Sequence, residues 1–426
     1  MRILIAGCGI GGLTTALSLY AAGLRDIRVL ESVPQIRPLG AGLNLLPNAV
    51  RELTALGLGT PLRDMGAELT GLGYHNHLGQ EIWREPRGRA AGFWWPQLAV
   101  HRGALQGALL ECVRAQLGEA SIVTDARVTG FVVPPGGGVE VTVARRAADR
   151  STALLRADVL VGADGLRSAV RQALYPKEGE PRFNGTAVWR GITRVTPFSG
   201  GRSMVVMGDG RWKAVVYPLA ARPGADGLVP VNWAVSRAAD EGRAAAGDRF
   251  PDAVAGWRLD DLRLDALVAD HAHVASFPML DRDPLPRWSF GPVTLLGDAA
   301  HAMAPMGSNA TTQAVLDSRS LARALTSYAD PVAALAAYDR ERRPLMNRLQ
   351  LLNRAKGPEV VIDLVHERAP GGFTRVEDVV PRARLTQVAD SYARAAGFDT
   401  ASVNVASPYD SPLGGAMPWI GAAGGC

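Results

Sequence analysis

Lysine and cysteine are almost missing from this 426-residue chain. Only Lys177, Lys213 and Lys356 are lysines, so the net charge of +5 is carried by arginine. No run of five or more like charges occurs, which argues against a nucleic-acid-binding surface. Three cysteines (Cys8, Cys112 and Cys426), odd in number and far apart, supply no metal-ligand spacing and no disulfide framework. A reducing cytoplasm is therefore expected. No stretch of 18 apolar residues is present, so no membrane-spanning helix is expected. The N-terminus runs straight into an apolar strand and leaves no room for a cleavable leader. There is no internal repeat, no nucleophile triad, no metal cluster and no carboxylate pair that demands a catalytic explanation. His271-Ala272-His273 could place two imidazoles on one strand face, but a surface pair accounts for it. No catalytic side chain and no metal ligand is assigned. What the chain does must come from something it binds.

What is present is concentrated at the start. Arg2-Ile3-Leu4-Ile5-Ala6 is a short apolar run without a turn residue, as in a strand buried on both faces. Gly7-Cys8-Gly9-Ile10-Gly11-Gly12 follows, then an apolar-periodic helix from Leu13 to about Ala22, then a second strand Ile27-Arg28-Val29-Leu30 ending at Glu31. This is a βαβ unit with G-x-G-x-x-G at the first strand-to-helix turn and an acidic residue 19 positions beyond the last glycine. In such a turn Gly7 makes the bend, Gly9 admits a pyrophosphate to the backbone, and Gly12 lets helix and strand pack closely. The open helix N-terminus faces phosphate charge. Glu31 suits ribose hydroxyls and opposes a 2′-phosphate. The ligand expected is a dinucleotide; this unit alone leaves FAD and NAD both open.

The remaining length allows two or three domains. Arg37-Pro38-Leu39-Gly40-Ala41-Gly42-Leu43-Asn44 is a glycine-punctuated loop, and Pro47-Asn48 opens a helix closed by Gly57. Residues 67 to 84 alternate as a hairpin, and His101-Arg102-Gly103 starts another helix. Residues 121 to 165 form strands. Residues 183 to 278, tryptophan-rich with short alternating runs, predict a mainly antiparallel sheet inserted into the α/β unit. A long helical stretch is expected from about 310 to 354, and the last 25 residues form an irregular tail. The fold class expected is α/β: a doubly wound, Rossmann-like domain with an inserted antiparallel sheet domain. The boundaries drawn are residues 1–72, 96–180 and 279–355 for the first, 73–95 and 181–278 for the second, and a C-terminal helix and tail over 356–426.

Two further motifs follow the same logic. Val161-Gly162-Ala163-Asp164-Gly165-Leu166-Arg167-Ser168-Ala169-Val170-Arg171 is strand, turn and helix, with Ser168 and Arg171 on the helix's first turn. Leu296-Gly297-Asp298-Ala299-Ala300-His301 continues through Pro305-Met306-Gly307-Ser308-Asn309 into a helix near Ala310. Asp298 at a strand end can accept from a ribityl hydroxyl, and the loop's N–H groups with the helix N-terminus can stabilise negative charge.

The three motifs in this order resemble the single-component, FAD-dependent aromatic hydroxylases of the para-hydroxybenzoate hydroxylase type, over about residues 1 to 350. Within that family the sequence is most similar to the phenazine hydroxylases, the 5-methylphenazine-1-carboxylate 1-monooxygenase group. Trp83-Arg84-Glu85-Pro86-Arg87-Gly88, His101-Arg102-Gly103, Asp281-Arg282-Asp283-Pro284-Leu285-Pro286 and Pro305-Met306-Gly307-Ser308-Asn309 carry that likeness. Ala304 and Ala310-Thr311-Thr312 depart from it beside the flavin and imply a reshaped pocket.

The resemblance implies tightly bound FAD in the first motif, transient NADPH or NADH, and O₂. It implies FAD contacts at Gly7, Gly9, Gly11, Gly12, Glu31, Ser32, Gly42, Arg102 and Val128. Asp164 (with Ser168 and Arg171 serving FAD and passing NADPH), Asp298, Gly307, Ser308, Asn309 and Ala310 complete the set. Substrate-pocket candidates are Trp95, Trp189, Arg190, Tyr217, Trp233, Pro305 and Met306, the tryptophans being suited to stacking on a planar ring.

The implied reaction is hydroxylation of a polycyclic or heteroaromatic small molecule, phenazine-like or an aromatic carboxylate, by a flavin C4a-hydroperoxide in secondary metabolism such as antibiotic biosynthesis. The same chemistry could serve N-oxidation, epoxidation or Baeyer–Villiger insertion. An NAD-dependent dehydrogenase would share the first motif but not the Gly297-Asp298 loop, and an idle flavin-binding partner would not respond to NADPH. The expected form is a monomer or homodimer.

Overall fold

The structure, a computed structural model, describes residues 1–145, 151–239, 254–259, 262–269 and 276–410. The His271/His273 pair, Cys426 and the end of the tail lie outside these residues.

The first strand, Arg2–Ala6, is central to a six-stranded sheet, and Ile3, Leu4 and Ile5 are at most 1% exposed. It pairs in parallel with Val159–Gly162 on one side and Asp26–Leu30 on the other. Val293–Leu295 and Ile122–Val123 extend the sheet in parallel, and Ser289–Phe290 closes one edge antiparallel. Strands with no polar face need cover on both sides. Part of that cover comes from the helix Ile10–Ala21, against which Ala310–Ser327 packs. The second and third motifs stand at the ends of the two strands on the Val159 side of the first strand. Parallel pairing therefore brings all three motifs to the same carboxyl-end edge, where open α/β sheets bind ligands.

Above this edge lies a seven-stranded sheet, ordered Phe277–Asp281, Arg182–Val195, Val229–Ala238, Trp212–Pro218, Ser203–Gly208, Gly71–Asn76 and Glu81–Pro86. All its pairs are antiparallel except Ser203–Gly208 with Gly71–Asn76. A smaller sheet, Gly42–Leu45, Gln97–His101 and Ala67–Leu69, bridges the two.

Two local results differ from the expectation. The long helical stretch is two helices, Ala310–Ser327 and Pro331–Arg354. Pro331 has no N–H to continue the first helix, and the Asp330 carboxylate caps the second by accepting from Val332 and Ala333 N–H at 3.1 and 3.2 Å. The segment after 356 is more ordered than its weak signals suggest: Val360–Arg368, Arg382–Ala396 and Thr400–Val403 are helical. Val361, Ile362 and Val365 of the first of these are buried in one cluster with Leu72, Tyr74 and Ile82 of the large sheet.

Candidate active site

The first motif makes a cradle out of backbone. Gly7 has φ +101°, and a Cβ there would meet the Ala163 carbonyl oxygen at 2.4 Å. A Cβ on Gly12 would lie 2.0 Å from the Gly7 carbonyl oxygen, so neither position admits a side chain. A Cβ on Gly9 would meet nothing within 4 Å, because Gly9 faces a cavity of about 450 Å³. Gly11 is turned away and rests against Leu296, at the end of the third motif's strand.

The helix beginning at Ile10 has no side-chain cap, which leaves its first N–H groups aimed at that space. At the far end Glu31 accepts from Cys8 N–H at 2.9 Å, from Ser32 Oγ at 2.9 Å and from Val33 N–H at 3.0 Å. A carboxylate has about four acceptor sites, so capacity remains for ribose hydroxyls. Cys8 is a buried filler whose thiol is pushed up to about 12, first by burial and then by the Glu31 charge.

Gly7, Gly9, Glu31, Ser32, Arg102, Val128 and Asp164 line this one cavity together. Its glycine floor, free helix N–H groups and terminal carboxylate fit the ADP half of FAD.

Asp164 lines the cavity, but its carboxylate is committed to the helix Ala169–Leu174. It accepts from Ser168 Oγ at 2.5 Å and from Ala169 N–H at 2.7 Å. Burial raises its pKa, and these hydrogen bonds oppose the rise. Arg171, expected to serve a passing nicotinamide cofactor, is instead fully buried. It donates to the carbonyls of Ala299, Ala300 and Asp283 at 3.1, 2.9 and 3.0 Å and pairs with Glu178. It ties the second motif to the third and cannot meet a ligand at the surface.

The third motif is braced from behind by groups with no motif signature. Asp317, fully buried on the helix Ala310–Ser327, accepts from the Gly297 N–H at 3.3 Å. It also bonds His301 Nε2 at 2.5 Å and Arg342 Nε at 2.7 Å. Burial alone would raise the Asp317 carboxyl; the charges and hydrogen bonds of His301 and Arg342 outweigh it and hold the group below its ordinary value. This bracing leaves Asp298 exposed at the strand end with no side-chain partner among the described residues.

Farther along, Gly42, Ser308, Asn309, Ala310 and Pro305 line a second cavity of about 200 Å³ with Arg190 and Tyr217. The Asn309 side chain makes no cap bond to the Ala310–Ser327 helix, so that helix too presents free N–H groups here. Asn232 Oδ1 accepts the Gly42 N–H at 2.7 Å and links the large sheet to the loop below. Arg190 and Arg102 make no ion pair among the described residues. Although solvent reaches Arg190 through the cavity mouth, surrounding protein lowers its pKa; Tyr217 opposes this and the Arg102 charge adds to it. Burial pushes the Tyr217 phenol up, with Arg190 opposing, so it stays protonated. Arg190 lines this cavity and Arg102 lines the adjoining first cavity; two guanidiniums without ion pairs on either side of that junction suit a developing anion.

The strands of the large sheet alternate across this cavity. Val188 and Arg190, Lys213, Val215 and Tyr217, and Asn232, Ala234 and Ser236 face it. Trp189, Trp212 and Trp233 point the other way, into a separate core where Trp189 stacks on Trp212 at 5.6 Å. Trp233 is completely buried and donates to Thr193 Oγ1 at 3.0 Å. Trp95 is 3% exposed in the core of the dinucleotide unit. The three tryptophans named as pocket candidates are therefore core residues: Trp189 and Trp233 because side chains alternate faces along a strand, and Trp95 because the bend before Gln97–His101 packs it into the core of the dinucleotide unit.

Met306 lines a third cavity of about 250 Å³ on the outer side. Gly307 (φ +64°) lies so close to Tyr392 that a Cβ would approach the ring to 2.4 Å. The Tyr392 O–H is within reach of the Met306 carbonyl at 2.9 Å and Asn353 Oδ1 at 2.8 Å. The Asn353 amide in turn donates to the Ala304 carbonyl at 2.9 Å. The C-terminal segment thus clamps the third motif's loop. Sequence reasoning missed Lys213, Asn232, Glu359 and Tyr392. For Lys213 a signal existed: it shares strand parity with Tyr217.

Fold and site together fit a flavoprotein: a glycine-floored cavity with Glu31 in its lining, and a second cavity lined by Arg190 and Lys213. Comparison with known proteins agrees. The FAD binding domain family matches residues 1–351, and the chain belongs to that family. The phenazine 1,6-dicarboxylic acid hydroxylase PhzS of Lysobacter antibioticus is 43% identical over 362 residues, covering 83% of this chain and 89% of that protein. The 3-hydroxybenzoate 6-hydroxylase 1 of Aquipseudomonas alcaligenes is 33% identical over 366 residues, covering 83% and 88%.

Among solved structures, Klebsiella pneumoniae HpxO complexed with FAD and uric acid superposes with a TM-score of 0.70 at 24% identity, over 93% of this chain and 92% of that one, and shares its fold. The chain is a single-component, FAD-dependent aromatic monooxygenase that uses NAD(P)H and O₂. No described helix is long and apolar enough to cross a membrane.

Proposed function

We propose that this monooxygenase hydroxylates a planar polycyclic or heteroaromatic ring that carries a carboxylate, a phenazine-like molecule of secondary metabolism. The observation that carries the reading is the divided lining of the ring-end cavity. Val188, Val215, Met279 and Pro305 supply apolar surface for a flat ring, while Arg190 and Lys213 supply cationic donors and Tyr217 a phenol. The likeness to PhzS supports the same class.

When bound, FAD accepts hydride from NAD(P)H and activates O₂. The chain's own residues do the rest. The glycine cradle and Glu31 fix the adenosine end, and Asp298 offers an acceptor to the ribityl chain. The Ala310 helix end with Arg102 and Arg190 favours negative charge on the reduced ring. The sheet above holds the substrate and excludes water. NADPH is the expected donor, and the enzyme works in the cytoplasm as a monomer or homodimer.

The test is NADPH oxidation in air by FAD-loaded protein, with phenazine-1-carboxylate, phenazine-1,6-dicarboxylate and 3-hydroxybenzoate added singly. A phenazine carboxylate should stimulate oxidation and gain one oxygen by mass. Stimulation by 3-hydroxybenzoate alone would move the substrate class to single-ring phenols.

A further inference from the structure

The wall between the ring-end cavity and the outer cavity is made by three residues that line both: Lys213, Ser236 and Glu359. Lys213 is one of three lysines among 46 basic residues, and it stands where the strand parity aims it at the ring-end space. Its ammonium has three donors. One goes to Glu359, a side chain only 6% exposed, and one to the Met306 thioether at 3.2 Å.

A thioether is a weak acceptor, so this second bond is readily given up to an anionic oxygen. Glu359 belongs to the segment beyond residue 351, outside the part matched by the family. It follows Lys356 and Gly357, both at positive φ (68° and 52°), and it lies just ahead of the helix Val360–Arg368 that packs on the sheet. The outer cavity is lined by both signs: Asp281 and Asp363 are paired with Arg354 and Lys356, while Arg211 and Arg237 leave the lining with more cations than carboxylates.

We propose that Lys213 is the specificity-determining residue of the ring-end cavity. It receives the carboxylate of the aromatic substrate in place of the Met306 sulfur, while Glu359 holds its ammonium by one donor and moderates its charge. The inference rests on the proposed substrate class and names the side chain that reads it. A rotatable ammonium fits this task better than a guanidinium, whose planar fork would be fixed by Glu359 alone.

The experiment is a titration of FAD-loaded protein, followed by the flavin absorbance, with phenazine-1-carboxylate and with unsubstituted phenazine as probes. The wild type should bind the carboxylate about tenfold or more tightly than phenazine. Lys213→Met alone leaves Glu359 buried without a counter-charge and can fail to fold, so the deciding variant is Lys213→Met with Glu359→Gln. It should retain FAD, bind phenazine as the wild type does, and lose the preference for the carboxylate. Glu359→Gln alone should sharpen that preference, since it leaves the ammonium charge unopposed. An unchanged preference in the double variant overturns the role of Lys213 and leaves the substrate class standing. Binding of neither probe by the wild type overturns the class, and this inference with it.

Discussion

The two ends of the site are built from different materials. At the adenosine end the contact surface is backbone: Gly7, Gly9 and Gly12 shape it because a Cβ at Gly7 or Gly12 would strike a carbonyl at 2.4 or 2.0 Å. At the ring end the surface is mostly side chain, drawn from alternate positions of three strands, from Met279 of a fourth, from the 41–44 and Pro305 segments and from Glu359. A backbone-made site forces particular residues at fixed spacings and so leaves a motif. A side-chain-made site constrains only what faces inward.

The sharpest way to break this contrast is to put a side chain into the cradle. Gly12→Ala should yield protein that fails to retain flavin or to fold, since the clash at 2.0 Å is with backbone and cannot be relieved by a rotamer change. Gly9→Ala should leave the apoprotein's melting temperature unchanged and still weaken FAD, because its Cβ enters only ligand space. The ratio of flavin to protein absorbance after gel filtration, set beside the apoprotein melt, separates the two. Equal behaviour of both variants would show that Gly9 does not face the cofactor.

Next in size is the brace behind the third motif. Asp317→Asn leaves Arg342 buried without its carboxylate and should cost about 3 kcal/mol in denaturant unfolding at pH 7. The pH dependence carries a sign. Because Asp317 is held below its ordinary value in the folded state, the unfolded chain binds the extra proton. The stability this gives is complete above the unfolded value of about 4 and is lost as pH falls through the folded value. The wild type should therefore show a steeper acid limb than Asp317→Asn, and parallel limbs would remove the carboxylate from the account.

The clamp on the loop comes third. Tyr392→Phe deletes the O–H that reaches the Met306 carbonyl and Asn353, with an expected loss of about 1–2 kcal/mol. The apparent KM for the aromatic should rise with it, because the same loop supplies Pro305 to the ring-end cavity. A fall in stability with KM unchanged would make the clamp purely structural.

These differences also explain what could be read before the structure. The βαβ unit, the three motifs and the inserted antiparallel sheet were legible because each imposes a local pattern, and parallel pairing then gathers the motif ends at one edge. Arg171 was misread because its position in a motif says nothing about burial; it spends its guanidinium on three carbonyls and Glu178. Tyr392 and Glu359 act across 86 and 146 residues of sequence on Met306 and Lys213, a range no local pattern spans. The tryptophans were misplaced for a nearer reason. Trp189 and Arg190 are adjacent on one strand, so both cannot face the same cavity.

That parity gives the finest test, a paired substitution on neighbouring residues. Trp189→Phe removes part of the stack on Trp212 in the core behind the sheet and should cost about 1 kcal/mol of stability. The KM for the aromatic should stay within about twofold, since nothing in the cavity lining changes. Arg190→Met should do the reverse. It removes an unpaired guanidinium that faces Arg102, so apoprotein stability should hold or rise slightly, while NADPH-driven turnover of the aromatic falls by about tenfold. If Trp189→Phe were the variant that lost substrate, the sheet would have to present its other face to the flavin, and the ring-end site would need to be redrawn one residue out of register.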